Sequence, residues 1–183
     1  MGVVETIKGT WTYIAAIVFI AISGGLCLGD VIDLSGRSVK LPLATFSARA
    51  EFTFRYLTLG VLSVLCTIFL VIFQRVTTGT VNPLAGQEDK VQKQANILQN
   101  SFEQFIISAF AQLCMVSFIG EKYTLRVIPW VNFCFIIGRF FFVIGYPSKR
   151  AFGVFLSLIP NVGMVGVCVY KFVEHLFFDS IDV

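Results

Sequence analysis

Two sets of polar residues sit inside stretches otherwise fit for oil, and both recur with the pitch of a helix. Asn96, Asn100, Glu103, Gln104, Ser108 and Gln112 follow at steps of four, three, one, four and four, which puts them on one helix face. Asn132, Phe135, Arg139, Phe142 and Tyr146 recur at steps of three and four. Ionisable groups inside a membrane span are costly, so they either satisfy one another in the interior or mark a functional site. A turn centred near residues 123–124 would leave Arg139 and Glu103 roughly 7 Å apart along the axis. The expectation is an Arg139–Glu103 ion pair, assisted by the amides of Asn100 and Gln104. The other use of the same residues is a pocket in which Arg139, Asn100 and Tyr146 receive an anionic or amphipathic ligand. No residue declares itself catalytic. The lone His175 and five cysteines without a CxxC pair give neither a metal site nor a disulfide framework.

The elements that must position these residues follow from composition. Of 183 residues, 56% are hydrophobic and only 14% charged, against about 25% charged in soluble domains. Twenty phenylalanines are more large rings than a small soluble core could hide. A net charge of +3, scattered along the chain, gives no nucleic-acid footprint. The chain reads as an integral membrane protein in contact with lipid.

Five apolar segments approach the ~20 residues needed for a helical span: about Trp11–Gly29, Tyr56–Phe73, Asn100–Ile119, Val127–Gly145 and Ala151–Phe172. They are continuous, which excludes the alternation of a membrane barrel. The fold class is therefore all-α, a transmembrane helical bundle. The first segment has the outline of a signal peptide, Lys8 before an apolar run and then Ser23-Gly24-Gly25. Its continuation through Leu26-Cys27-Leu28 makes it long enough to span instead. Gly25 and Gly29 are spaced for close helix contact. Short connections, GEKYTLR and YPSKR, make the last three segments antiparallel neighbours. Trp11, Tyr13, Tyr56, Tyr123, Trp130 and Tyr170 stand near span ends as interfacial anchors. Lysines and arginines do not orient the bundle, since six fall on one side (Lys8, Arg75, Lys90, Lys93, Lys149, Arg150) and seven on the other.

The stretches Asn100-Ser101-Phe102-Glu103-Gln104, Gly138-Arg139 to Gly145-Tyr146, and Arg150-Ala151-Phe152-Gly153 resemble the MAPEG superfamily, membrane-associated proteins in eicosanoid and glutathione metabolism. The resemblance covers about residues 55–172. It implies a four-helix transmembrane domain over residues 55–183, which leaves residues 1–54 as an N-terminal transmembrane helix and polar loop. It also implies a homotrimer, with glutathione held between subunits near the cytosolic face. The N-terminus and the YPSKR turn would then be cytosolic. Carried onto this chain, the cofactor site would use Asn100, Glu103, Gln104, Arg139, Tyr146 and Arg150, for glutathione or a lipid.

Departures from the family pattern point away from vigorous catalysis. Asn96 stands where the enzymes carry an arginine for the glutathione carboxylates, and Phe142 replaces a tyrosine. Lys149 or Arg150 would have to stand in for the thiol-activating arginine. The extra first span makes the chain resemble the mattrin-like, five-span branch. That implies a catalytically weak or inactive endomembrane protein, in endoplasmic reticulum, Golgi, endosomal or lysosomal membranes, which binds lipids or partners in trafficking. One alternative is a glutathione-dependent transferase or peroxidase acting on lipophilic substrates. Another is a small channel or transporter, with Pro160, Asn161, Gly163 and Gly166 marking a kinked, path-lining helix.

Overall fold

A computed structural model describes residues 3–35, 43–80 and 88–177, with side chains from Trp11 onward in the first helix. Five helices account for nearly all of it: α1 (Val3–Leu28), α2 (Phe46–Thr78), α3 (Gln92–Phe118), α4 (Glu121–Gly145) and α5 (Ala151–Phe177). All five are long and apolar enough to cross a bilayer, and there is no strand among the described residues. The all-α transmembrane bundle expected from the sequence is the architecture observed. Arg37 and Lys40, two of the seven basic residues on the second side, lie outside the described residues.

Helix ends lie further out than hydrophobicity alone suggests, because capping sets them. Thr45 accepts a hydrogen bond from the Ala48 amide at 3.2 Å, so α2 begins ten residues before Tyr56. At its other end Gly79 takes the left-handed conformation, φ 69°, and its amide closes on the carbonyls of Arg75 and Val76. The resulting 33-residue helix is about 50 Å long, longer than the ~30 Å hydrocarbon core, so it projects beyond it. Arg75 there forks onto both oxygens of Glu88 at 3.1 and 3.0 Å, tying the end of α2 to the approach to α3.

Extensive packing joins α2 to α3, α3 to α5, α5 to α4 and α4 to α2, while α3 and α4 meet only slightly. The four helices therefore form a ring in which α3 and α4 are diagonal. This corrects the expectation that α3 and α4 are close neighbours because their connection is short. Close approach is decided by side-chain volume rather than loop length. A Cβ on Gly60 of α2 would lie 2.6 Å from the Phe105 ring of α3. On Gly153 of α5 it would overlap the backbone of Phe142 and Gly138 in α4.

The first helix lies outside this ring, against α4 and α5. The Trp130 ring covers Gly24, where a Cβ would come within 3.0 Å of it, and its Nε1 donates to Ser23 Oγ at 3.1 Å. Trp130 thus pins α1 instead of anchoring at the interface. The expected Gly25–Gly29 contact does not form, since a Cβ on Gly25 meets nothing and Gly29 faces only its own helix. Pro160 and Asn161 are buried within an uninterrupted α5.

Candidate functional site

The polar stripe of α4 forms as expected, with Arg139 at its centre and only 1% exposed. Its guanidinium lies 4.7 Å from the centroid of Phe142 and 5.7 Å from that of Phe135, one turn to either side. Nη1 donates to Asn100 Oδ1 at 2.9 Å and Nη2 to Ser157 Oγ at 2.5 Å. The Ser157 hydroxyl lies 3.2 Å from the Gly153 carbonyl and 3.1 Å from that of Val154, so it donates backwards and leaves its oxygen for Arg139. Nε is buried with no partner.

Glu103 is not the partner. It is exposed on the outer face of α3, where its Oε1 accepts from Gln99 Nε2 at 3.0 Å, and it forms no ion pair with Arg139. The reason is the position of the turn. Chain reversal occurs at residues 119–120, about four residues earlier than the sequence estimate, because Gly120 starts α4 at Glu121. Asn100 lies eighteen residues before the end of α3, and Arg139 eighteen after the start of α4. They are level, and Glu103 falls almost a turn short. Gln104 is half-buried and its Oε1 has no partner, nor does the buried Ser101 hydroxyl.

Nearer the helix ends, Asn96 Nδ2 donates to the Tyr146 hydroxyl at 3.3 Å, and Asn96 Oδ1 accepts from Gln92 Nε2 at 2.7 Å. The exposed Arg150 lies 5.3 Å over the Tyr146 ring, which in turn meets Phe142 edge-on at 5.6 Å. The structure therefore joins Asn100, Arg139 and Ser157 at depth, and Asn96, Tyr146 and Arg150 above them. Glu103 stays apart from both. Ser157 was missed by sequence reasoning. Its signal was indirect: a serine one turn beyond Gly153, the residue that must press against Gly138.

A separate neutral layer occupies the lower bundle. Gln112 Nε2 donates to Ser108 Oγ at 3.0 Å, while Asn132 Nδ2 reaches Gln112 Oε1 at 2.6 Å and the Ile128 carbonyl at 2.8 Å. Between α2 and α4 a largely apolar groove of about 390 Å³ is lined by Leu62, Cys66, Leu70, Phe140 and Val143, with Arg139 in its wall. No group of three metal-ligating side chains occurs among the described residues.

The sequence profile of the MAPEG family matches residues 53–170, from the first turns of α2 to near the end of α5. The chain belongs to the MAPEG family. No curated protein matches it, and no solved structure does. The matched span contains the whole Arg139 cluster, whereas α1 and the segment after it lie outside. For this MAPEG-family chain the cluster is a fixed cation with neutral partners. It can hold helices together or receive an anion, but its two outer guanidinium nitrogens are already committed.

Proposed function

We propose that this chain is a mattrin-like MAPEG protein of endomembranes, with little or no glutathione-transferase activity and a lipid- or partner-binding role in trafficking. The observation that supports this is the state of Asn96. Where the resemblance calls for an arginine to grip glutathione carboxylates, an amide is bonded to Tyr146 and Gln92. Activation of a thiol also needs a cation or donor free to face it. Arg139 is buried and engaged, and Arg150 rests on Tyr146. The residues present therefore fit glutathione poorly. Lipid binding draws support from the apolar groove between α2 and α4.

Homotrimer formation belongs to the same proposal. Glu103 and Gln99 are exposed on the α3 face between Phe102 and Ile106, where a neighbouring copy would shield a carboxylate from lipid. The N-terminus would be cytosolic, on the side of the YPSKR turn. Purified protein incubated with glutathione and an aryl halide electrophile is expected to form no conjugate above the uncatalysed rate. Conjugation that disappears in a folded Arg139→Ala variant would overturn this reading and favour a glutathione-dependent transferase or peroxidase.

A further inference from the structure

Two cavities meet beside α1, at the end of the bundle where α3 turns into α4. The first, of about 310 Å³, is walled by charge of both signs: Asp30, Asp33, Lys122 and Arg126, with Ser35 between. The second, of about 290 Å³, rises between α1 and α4 and is lined by Phe19, Ile22, Leu26 and Phe133. They share Cys27, Ile32 and Leu34 as a common wall. A polar chamber at the helix ends thus continues into an apolar one at membrane depth.

The charges in the polar chamber are only partly used. Arg126 pairs with Asp30 and donates Nη1 to the Leu28 carbonyl at 2.8 Å. Asp33 accepts through Oδ1 from the Ser35 amide at 2.8 Å and the Ser35 hydroxyl at 2.5 Å, and its Oδ2 has no partner among the described residues. Lys122 is exposed in the first turn of α4 and has no partner among the described residues. One spare cation and one spare carboxylate therefore face a single chamber that opens onto an apolar slot.

We propose that the paired cavities hold one zwitterionic phospholipid with a primary-amine head. Its phosphate lies on Lys122, its ammonium on Asp33, and one acyl chain in the slot between α1 and α4. Equal numbers of acidic and basic groups disfavour a purely anionic head, for which the carboxylates would be repulsive. A choline head has no N–H to offer a carboxylate and is recognised by aromatic faces, and no aromatic ring lines the polar chamber among the described residues. An ethanolamine head supplies the donors that Asp33 can accept. The site lies partly outside the family match, on α1 and the residues that follow it, with Lys122, Leu125, Arg126 and Phe133 of α4 inside it, and does not use the Arg139 cluster. It stands or falls independently of the proposed function.

The test is native mass spectrometry of the purified full chain in detergent, titrated separately with dioleoyl phosphatidylethanolamine, phosphatidylcholine and phosphatidylglycerol. One tightly held phosphatidylethanolamine per chain is expected, at least tenfold preferred over the other two. Asp33→Asn, an exposed position that removes the carboxylate facing the ammonium, should reduce that preference about tenfold, while Lys122→Gln should weaken all three lipids alike. Ile22→Trp, which fills the apolar slot without touching a charge, should abolish retention. Equal binding of the three lipids, or a preference untouched by Asp33→Asn, would overturn the proposal in favour of unspecific lipid. Saturation by soluble phosphoethanolamine alone, at the affinity of the lipid, would overturn it by showing a headgroup site that needs no chain.

Discussion

Two arginines of α4, Arg126 and Arg139, lie thirteen residues apart and are satisfied in opposite ways. Arg126 sits at the helix end and has a carboxylate, Asp30, besides the carbonyl of Leu28. Arg139 is inside the bundle and has no carboxylate at all, only an amide, a hydroxyl and two ring faces. The cation that could be hydrated is given a counter-charge, and the one that cannot is given neutral dipoles. Desolvation explains this. Taking a carboxylate into the interior as well would add a second penalty of several kcal/mol, whereas a guanidinium can be solvated by fixed oxygens and rings. The difference also separates roles. The Arg126 end attaches the helix that lies outside the family match, and the Arg139 end organises the matched part.

The largest disruption of this contrast is expected from Gly153→Val. Its side chain would overlap the backbone of Phe142 and Gly138, push α5 from α4, and carry Ser157 away from Arg139. Overpacking against backbone should cost about 3 kcal/mol or more. A lowered thermal unfolding midpoint in detergent checks this, and an unchanged midpoint would show that the α4–α5 contact does not hold Ser157 in place.

Asn100→Asp gives Arg139 what Arg126 already has. The substitution is nearly isosteric and turns the 2.9 Å bond from a charged donor to a neutral amide into an ion pair. The ion pair gains Coulomb energy, but desolvating a second charge costs several kcal/mol, so stability should fall, by about 1 kcal/mol or more. In an Arg139→Met background the same change should cost still more, since the new carboxylate is then buried alone. A thermal double-mutant cycle reads the coupling. Additivity would mean that the two side chains do not interact.

The sequence revealed the five spans, the two polar stripes and the interior position of Arg139, because those depend on composition and helical period. It misplaced the partner of Arg139 because depth depends on where a turn reverses, and Gly120 moved that point by about four residues. It made α3 and α4 neighbours because loop length was read as adjacency, while the glycine contacts at Gly60 and Gly153 set the true pairs. Gly24 under Trp130 could not be chosen over Gly25 and Gly29 without knowing which face of α1 turns inward. Ser157 gave only an indirect signal for a similar reason, since its place one turn beyond Gly153 matters only once α5 is packed on α4.

Acid separates the two ends most finely, because only one of them depends on carboxylates. Both hydrogen bonds from Ser35 favour the ionised form of Asp33 and hold its pKa below the ordinary 3.8. A group depressed in the folded state contributes stability above its unfolded value and loses it as pH falls through the folded one. The turn after α1 should therefore stay intact down to about pH 4 and loosen below it, whereas the neutral partners of Arg139 do not titrate. Trp130 fluorescence reports the seating of α1, through its contacts with Gly24 and Ser23. In a Trp11→Phe background, a change below pH 4 that Asp33→Asn removes is the expected result. The same acid step persisting in Asp33→Asn would assign it to another carboxylate. The effect is small, because Asp33 is exposed and solvent screens it. Its direction still distinguishes an end held by titratable charge from a core that is not.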